Sequence, residues 1–286
     1  MIEVKNLSKS YGEIEVFKNT NLFIEENRIY GLFARNGVGK STLLKILSDQ
    51  IINYDGHVNY KGKSIKDNKD FKKRVILISE DFIPDALKTE KLKDILDIIK
   101  SFLTTFNQKR FDELTKIFNM NMKNKYYKLS FGNQSIFRNM IGLASGVEFI
   151  FYDEPTTGLD EINRDTFYKK LMEYQDMDES TVIISSHNVA DIEKIISDVI
   201  ILKDKKVIVN DSIYDIEEKS YAITIDPKYL GLLAKKNILT KKAFAGELVV
   251  NVFDEFTDSE LNELNEKSRV NRLELRDLFI AINKEQ

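Results

Sequence analysis

The stretch that decides the fold is Gly31-Leu32-Phe33-Ala34-Arg35-Asn36-Gly37-Val38-Gly39-Lys40-Ser41-Thr42, an apolar run that opens into a glycine-punctuated loop. Residues 29–33 predict a short strand, and the apolar pattern from residue 41 onward predicts the helix that follows it. In the loop between them, glycines let backbone N–H groups point inward, and the helix N-terminus adds positive partial charge. Lys40 supplies a point charge and Ser41 a hydroxyl that can bind Mg²⁺. Each of these groups faces a polyphosphate, so the stretch predicts a loop that binds the phosphates of a nucleotide.

The first position of this loop departs from the strict pattern, which begins with glycine, because the chain has Ala34 there. A methyl group is tolerated at that position when the backbone keeps a negative φ, and it costs energy when the backbone does not. A turn that merely links a strand to a helix is the alternative interpretation, and the rest of the chain has to decide between the two.

Composition limits the classes of function that are open to the chain. Its 286 residues, of which 42% are hydrophobic, can fill a large core or a large and a small one. The net charge of -3, from 43 basic and 46 acidic side chains, shows no excess of positive charge for nucleic acid, so we expect no nucleic-acid partner. The sequence has no cysteine, which excludes disulfides and thiolate metal sites and suits a reducing cytoplasm. The apolar runs are of strand length, so any membrane role is expected to be peripheral.

Polar side chains follow three apolar segments that read as strands. These are residues 75–79, followed by Glu80-Asp81, residues 148–152, followed by Asp153-Glu154, and residues 181–185, followed by Ser186-His187. Strands that alternate with helices predict a parallel sheet, and the carboxyl ends of its strands meet at the edge where ligands bind. The predicted fold class is therefore α/β, with these polar groups gathered at one edge.

The adjacent acids Asp153 and Glu154 suggest metal-assisted chemistry on a phosphate. Burying one charge is costly, so two carboxylates at the end of a buried strand need a purpose. Asp153 can hold Mg²⁺ through its hydration shell, and Glu154 can orient or deprotonate a water. A lone histidine is usually structural, but His187 ends a neighbouring strand and is well placed to touch a terminal phosphate.

Two further positions have both a structural and a ligand-binding interpretation. Tyr11 lies in a polar turn, where its ring packs on a neighbouring strand or offers a surface on which an adenine stacks, and spacing alone favours packing. Ser130 precedes a helical stretch, where a serine hydroxyl caps the helix, while the same free N–H groups can form an anion site.

The remaining segments predict helical and mixed units. Apolar residues spaced at three and four predict one helix from Leu92 to Phe106, a second over residues 111–118, and together a helical subdomain. A helix is also predicted after His187, up to about Ser197. Beyond residue 210 we expect a small α+β unit, with strands at 221–225 and 248–253, a helix that starts at Asp226-Pro227, a capped helix after Thr257 and a last helix over 275–282.

Taken together, these motifs resemble those of the ATP-binding cassette (ABC) ATPases, the nucleotide-binding subunits of bacterial ABC transporters. The resemblance covers about residues 1–210. Residues 34–42 match the Walker A motif, and residues 129–133 match the signature motif. Asp153-Glu154 match the Walker B motif with its glutamate, and residues 158–160 match the D-loop. Tyr11 stands at the adenine-stacking position, Glu80 at the Q-loop and His187 at the switch histidine.

The resemblance implies a P-loop NTPase fold with four parts. We expect a mainly parallel core sheet, an antiparallel β subdomain and a helical signature subdomain at about residues 85–145, all within an ABC ATPase domain over residues 1–210. A small C-terminal α+β extension would occupy residues 211–286.

The resemblance also implies ATP and Mg²⁺ as cofactors and assigns roles to residues. Catalysis would involve Glu154, His187, Lys40 and Glu80, while Mg²⁺ would be bound by Ser41, Asp153 and Glu80. Nucleotide contacts would come from Tyr11, Asn36, Gly37, Val38, Gly39, Lys40, Ser41, Thr42, Ser130 and Gly132. Of these, Ser130 and Gly132 would touch the γ-phosphate of an ATP held by a second cassette, so the working unit would be a homodimer or a pair of related subunits.

The function implied is that of an ATP-hydrolysing subunit that powers a membrane transporter through ATP-driven cassette dimerisation. Its partners would be integral membrane permease subunits, and it would lie in the cytoplasm, peripheral to the inner face of the cell membrane. The C-terminal unit and the variant signature look like those of exporters, so we expect an exporter of drugs or peptides.

Several departures from the family pattern leave alternatives open. Glu80 stands where the Q-loop usually has glutamine. In the signature motif, Phe131 replaces a glycine and Asn133 replaces the closing glutamine. Ala34, Glu80 and Phe131 leave open the alternative of a regulatory nucleotide-binding module with little turnover. A soluble ABC-type ATPase that acts on nucleic acid or ribosomes is the other alternative, but it predicts tandem cassettes or a basic surface, and the sequence shows neither.

Overall fold

The computed structural model describes residues 1–284, which divide into two compact units. The first unit contains Met1–His187 and Ile195–Asn210, and the second contains Asn188–Lys194 and the residues from Asp211 onward. The elements that begin within residues 1–210 are β1 (Ile2–Tyr11), β2 (Ile14–Ile24), β3 (Ile29–Phe33), α1 (Lys40–Leu47), β4 (Asp55–Tyr60), β5 (Lys63–Ser64), α2 (Lys69–Lys72), β6 (Val75–Ile78), α3 (Leu92–Lys100), α4 (Gln108–Ile117), α5 (Phe131–Ala144), β7 (Phe149–Asp153), α6 (Glu161–Asp178), β8 (Thr181–Ser186), β9 (Asp198–Lys203) and β10 (Lys206–Ser212). The elements that follow are α7 (Ile213–Lys219), β11 (Ser220–Ile225), β12 (Ile238–Phe244), β13 (Glu247–Phe253), α8 (Asp258–Lys267), β14 (Ser268–Arg272) and α9 (Leu275–Asn283).

A six-stranded sheet in the order β10-β9-β3-β8-β7-β6 forms the centre of the first unit. The pairs β9–β3, β3–β8, β8–β7 and β7–β6 are all parallel, which confirms the predicted α/β fold with a mainly parallel core sheet. Every residue of β3, β6 and β8 is buried, as expected for parallel strands that are covered on both faces. Because the strands run in one direction, the loop after β3, the acids at the end of β7 and His187 after β8 come to the same edge.

An antiparallel sheet in the order β2-β1-β4-β5 packs against the core sheet through a shared apolar cluster. The cluster joins Ile2, Val4 and Phe17 of the antiparallel sheet to Leu43 and Leu44 of α1. All five side chains are essentially inaccessible to solvent, and each contributes about 1.5–3 kcal/mol through burial. This packing fixes the position of α1, which begins at Lys40. The antiparallel sheet therefore helps to hold the phosphate loop, which leads into α1, in place.

The helical segment is shorter than its apolar pattern predicted. Residues 92–100 and 108–117 are helical, but the extension of the first helix to Phe106 is wrong, and Phe102 is 76% exposed. After Lys100 the backbone N–H groups of residues 101–103 bond to carbonyls three residues back, which tightens the chain into turns. Asn107 then starts α4 by accepting a hydrogen bond from the N–H of Arg110 at 3.0 Å.

The C-terminal unit contains an antiparallel sheet in the order β12-β13-β11-β14. Its core joins Ile223 and Ile225 of β11 to Val250 and Val252 of β13 and to Leu264 of α8. The predicted strands, the capping box before α8 and the last helix are confirmed. The segment predicted as a helix from Asp226-Pro227 is a 3₁₀ helix, Pro227–Leu233, in which Asp226 accepts from the N–H of Lys228.

The helix predicted between His187 and Ser197 is wrong. Only one 3₁₀ turn, Val189–Asp191, forms in this segment. Ile192 has φ −125° and ψ −6°, outside the helical region, so the turn does not continue. None of the helices within residues 1–284 combines the length and the hydropathy that crossing a bilayer requires.

Candidate functional site

The loop between β3 and α1 has the backbone shape that its glycines predict. Gly37 has φ 80° and Gly39 has φ 118°, conformations that residues with a side chain rarely adopt. A Cβ at Gly39 would also lie 2.7 Å from Cγ1 of Val16. Ala34 is not among the residues with positive φ, so its methyl group adds no backbone strain, and it is buried in the core cluster. The departure at Ala34 therefore leaves the shape of the loop intact.

Glu154 lies between the two basic side chains that the sequence singled out. Its Oε1 is 3.3 Å from Nζ of Lys40, and its Oε2 is 2.8 Å from Nδ1 of His187. Lys40 also donates to the carbonyl of Ala34 at 3.4 Å, which holds its ammonium at the mouth of the loop. Glu154 itself has φ 51°, a left-handed conformation that costs about 1–2 kcal/mol for a residue with a side chain. The first residue of α1 and the residue that follows β8 thus meet at the carboxylate that follows β7.

Asp153 is held by a residue that the sequence analysis missed. The Oγ of Ser185 donates to Oδ1 of Asp153 at 2.6 Å and accepts from the backbone N–H of Glu154 at 3.0 Å. Asp153 and Ser185 are direct partners in the parallel register of β7 and β8. The signal for Ser185 was its place two residues before His187 at a polar strand end, but the register that makes it a neighbour of Asp153 is not a local property.

Lys40, Asp153, Glu154 and His187 line a cavity of about 580 Å³. The predicted site residues on its wall are Asn36, Gly37, Gly39, Lys40, Ser41, Thr42, Glu80, Asp153, Glu154 and His187. Four lining residues were not predicted to belong to this site, and they are Phe131, Ser135, Arg138 and Thr157. The structure therefore brings the phosphate loop, both acids and the histidine together, and it adds one wall from the N-terminal half of α5.

Four predicted site residues do not line this cavity. Tyr11 is 48% exposed, with Nζ of Lys9 at 4.6 Å from its ring centroid, and Val38 packs against the core cluster. Ser130 caps α5 by accepting from the N–H of Asn133 at 3.2 Å. A Cβ at Gly132 would lie 2.5 Å from the carbonyl oxygen of Gly158, so glycine is required there for close packing. The ligand contacts assigned to these residues remain predictions.

The donor set on the cavity wall fits a magnesium ion. Ser41, Asp153 and Glu80 offer hydroxyl and carboxylate oxygens, which Mg²⁺ prefers, and Ser185 fixes the orientation of the Asp153 carboxylate. Within residues 1–284, no group of three or more acidic, histidine or cysteine side chains could by itself hold a metal ion. Mg²⁺ takes one or two protein carboxylates and completes its shell with waters and substrate phosphates.

Asp81, beside Glu80, has a structural role. Its carboxylate accepts from Nζ of Lys45 at 2.8 Å and from Oγ of Ser79 at 2.5 Å. The hydrogen bond from Lys45, supported by that from Ser79, lowers the pKa of Asp81 from its ordinary value of 3.8. Asp81 therefore ties the segment after β6 to α1, and of the two adjacent acids it is Glu80 that lines the cavity.

Comparison with known proteins gives a consistent result. A family model described as "ABC transporter" matches residues 17–157. An uncharacterized ABC transporter ATP-binding protein of Bacillus subtilis, YybJ, is 31% identical over 195 residues, which span 67% of this chain and 88% of that protein. The lantibiotic transport ATP-binding protein SrtF of Streptococcus pyogenes is 28% identical, over 68% of this chain and 82% of that protein. The methionine import ATP-binding protein MetN of Clostridium tetani is 26% identical, over 72% of this chain and 68% of that protein.

Among solved structures, the chain is similar to the dimeric structure of MJ0796, a bacterial ABC transporter cassette. The two share 25% identity with a TM-score of 0.62, over 74% of this chain and 99% of that one.

Proposed function

Because the chain belongs to the ABC transporter family of ATP-binding proteins, and is thus an ATPase of the cassette type, we propose that it hydrolyses ATP to power a membrane transporter. The observation that carries this proposal is the position of Glu154, which lies within 3.3 Å of Lys40 and 2.8 Å of His187 in a cavity that the phosphate loop lines. A carboxylate in this position can act on a water while the two basic groups face the phosphate.

In the proposed reaction, positioning and charge stabilisation do most of the work. Lys40 and His187 stabilise charge on the terminal phosphate, and Glu154 orients or deprotonates the attacking water. Ser41, Asp153 and Glu80 would hold Mg²⁺, which neutralises phosphate charge when it is bound. The hydrogen bonds of Ser185 hold the Asp153 carboxylate and the backbone of Glu154 in position for these roles.

A second cassette completes the proposed site. Ser130 and Gly132 lie outside the cavity of their own chain, at the N-terminus of α5, where they would meet the ATP of a partner. The similarity to a cassette solved as a dimer supports this arrangement. ATP would join two cassettes, either identical or paired, and hydrolysis would separate them.

The transporter is proposed to be an exporter of drugs or peptides. The similarity to a lantibiotic transport protein supports a peptide cargo, whereas the similarity to a methionine import protein shows that related chains also serve import systems. In either direction the chain would act with integral membrane permease subunits, peripheral to the inner face of the cell membrane.

The first test compares ATP hydrolysis by the wild type, Glu154→Gln and Glu161→Gln. Glu161 is an exposed acid in the first turn of α6, so its variant controls for the loss of one carboxylate. Loss of a general base lowers turnover by about 10²–10⁴-fold, and we expect that loss only for Glu154→Gln. The same variant should accumulate an ATP-dependent dimer in size-exclusion chromatography.

The outcomes separate the candidate functions. Equal turnover in all three proteins would contradict the role of Glu154, and a wild type that binds ATP without turnover would favour the regulatory module. Purification of the tagged chain from solubilised membranes tests the transport claim, because the proposal requires an integral membrane protein to co-purify with it.

A further inference from the structure

Arg138 of α5 is a buried cation on the wall of the nucleotide cavity. Its side chain lines the cavity that the phosphate loop and the acids after β7 also line, and only 5% of the residue is exposed. Burying a charge without an opposite charge is costly, so arginines that are this buried normally have an anionic partner.

The hydrogen bonds of Arg138 go to neutral hydroxyl groups. Its Nη1 donates to Oη of Tyr126 at 2.7 Å, and its Nη2 donates to Oγ of Ser135 at 2.9 Å. These bonds use two of the five N–H donors of the guanidinium. Within residues 1–284, no carboxylate forms an ion pair with Arg138.

Arg110 shows what a satisfied buried arginine looks like in this chain. It is 8% exposed, and its two terminal nitrogens donate to both oxygens of Asp178 at 2.5 and 2.9 Å. Arg110 lies in α4 and is not part of the cavity wall. The two arginines have nearly equal burial, so Arg138 differs from Arg110 in having no carboxylate partner among residues 1–284.

The cavity that Arg138 lines also contains the phosphate loop, so a nucleotide phosphate bound there could supply the anion. Resting on the proposed function, we propose that Arg138 binds the terminal phosphoryl group of the nucleotide in the cavity of its own chain. A guanidinium presents planar N–H pairs that match phosphate oxygens, and its charge is permanent. The phosphoryl group would thus face Lys40 from the loop and Arg138 from α5.

The neighbours of Arg138 hold its guanidinium in a defined position. Ser135, which accepts from Arg138, donates in turn to the carbonyl of Thr157 at 3.2 Å. Thr157 follows Glu154 by three residues, so the arginine is connected to the segment that carries the proposed base. Because Tyr126 and Ser135 already fix the side chain, binding a phosphate costs little additional side-chain entropy.

Glu80 is a competing partner, because it lines the cavity and forms no ion pair within residues 1–284; Asp153, which also has none there, is already held by the hydroxyl of Ser185. It is an exposed residue, so water can solvate its carboxylate, whereas the guanidinium of Arg138 is shielded. No ion pair joins the two side chains in the structure of residues 1–284. These observations favour an anion that enters the cavity over one that the chain supplies.

The test measures the affinities of a non-hydrolysable ATP analogue and of ADP by isothermal titration calorimetry. The proteins are the wild type, Arg138→Gln, Arg138→Lys and Glu80→Gln. Losing a charged hydrogen bond to the terminal phosphate should raise the Kd of the analogue by about tenfold or more in Arg138→Gln. The Kd of ADP should change by less than about threefold, and Arg138→Lys, which keeps the charge but loses the planar fork, should lie between.

Each other outcome overturns the proposal. An equal loss of affinity for both nucleotides, or an unchanged Kd of the analogue, removes the terminal phosphate as the ligand. A fifth protein combines Arg138→Gln with Glu80→Gln. If Glu80→Gln reproduces the effect of Arg138→Gln and the combined variant loses no further affinity, Arg138 serves an ion pair with Glu80 instead. Should Arg138→Gln fail to fold, Arg138→Lys still decides, because the proposal requires it to bind the analogue less tightly relative to ADP than the wild type does. A wild type that binds neither nucleotide would contradict the proposed function itself, a result distinct from all of these.

Discussion

Replacing Ser185 with alanine should damage both the stability of the chain and the geometry of the site. The Ser185 hydroxyl is fully buried and makes two bonds, one to the carboxylate of Asp153 and one from the backbone N–H of Glu154. A hydrogen bond to a charged group contributes about 1.5–3 kcal/mol, and a buried N–H left without a partner costs about 1–3 kcal/mol. Since the two effects share one hydroxyl and partial relaxation is expected, we expect a total loss of about 2–4 kcal/mol in the free energy of unfolding.

The assay is thermal unfolding at neutral pH together with the rate of ATP hydrolysis. At about 2–4 °C per kcal/mol for a unit of this size, even the lower estimate shifts Tm by about 4–8 °C. Ser10→Ala is the control, because Ser10 is an exposed serine in β1. A drop in free energy below about 0.5 kcal/mol, the range of an ordinary surface substitution, would refute the bridging role of Ser185. Full ATPase activity in a destabilised variant would show that the hydroxyl serves folding alone.

Two further predictions concern backbone packing and pH. Gly56 has φ 91°, and a Cβ there would lie 2.4 Å from the carbonyl oxygen of Asn6, whereas Gly62 has φ 75° and open space around it. Gly56→Ala should therefore cost about 1–3 kcal/mol more than Gly62→Ala in urea unfolding, and equal costs would contradict the clash. The lowered pKa of Asp81 means that its bond with Lys45 stabilises the fold above pH 3.8 and is lost as the pH falls through the folded-state pKa. The gap in Tm between the wild type and Lys45→Met should thus be present at pH 7 and close in acid, and a gap that widens in acid would reverse the assigned sign.

Most of the site could be predicted because its chemistry lies in short segments at strand ends. The glycines of the loop, the acids after β7 and the histidine after β8 each follow an apolar run, and parallel strands bring such ends to one edge. Glu154, Lys40 and His187 meet for that reason. Their contact needs no knowledge beyond strand direction and sheet order.

The missed and mistaken parts depend on information that no local pattern contains. Ser185 meets Asp153 through the register of two strands more than 25 residues apart, and Arg138 reaches the cavity because α5 packs beside the segment after β7. The apolar pattern continues past Lys100, but the backbone turns there, and Phe102 is left exposed. The spacing of apolar residues indicates which side chains could share one face of a helix. It does not indicate where the helical hydrogen bonds end.

The backbone conformation of Glu154 also explains how two neighbouring acids come to line a single cavity. In an extended strand, consecutive side chains point to opposite faces of the sheet, so pleating that continued through Glu154 would separate it from Asp153. The strand β7 ends at Asp153, and the left-handed turn at the next residue sends both carboxylates to the same side. The position of the two acids therefore depends on where β7 ends as well as on which residues are present. A β7 one residue longer would direct the same two side chains to opposite faces of the sheet.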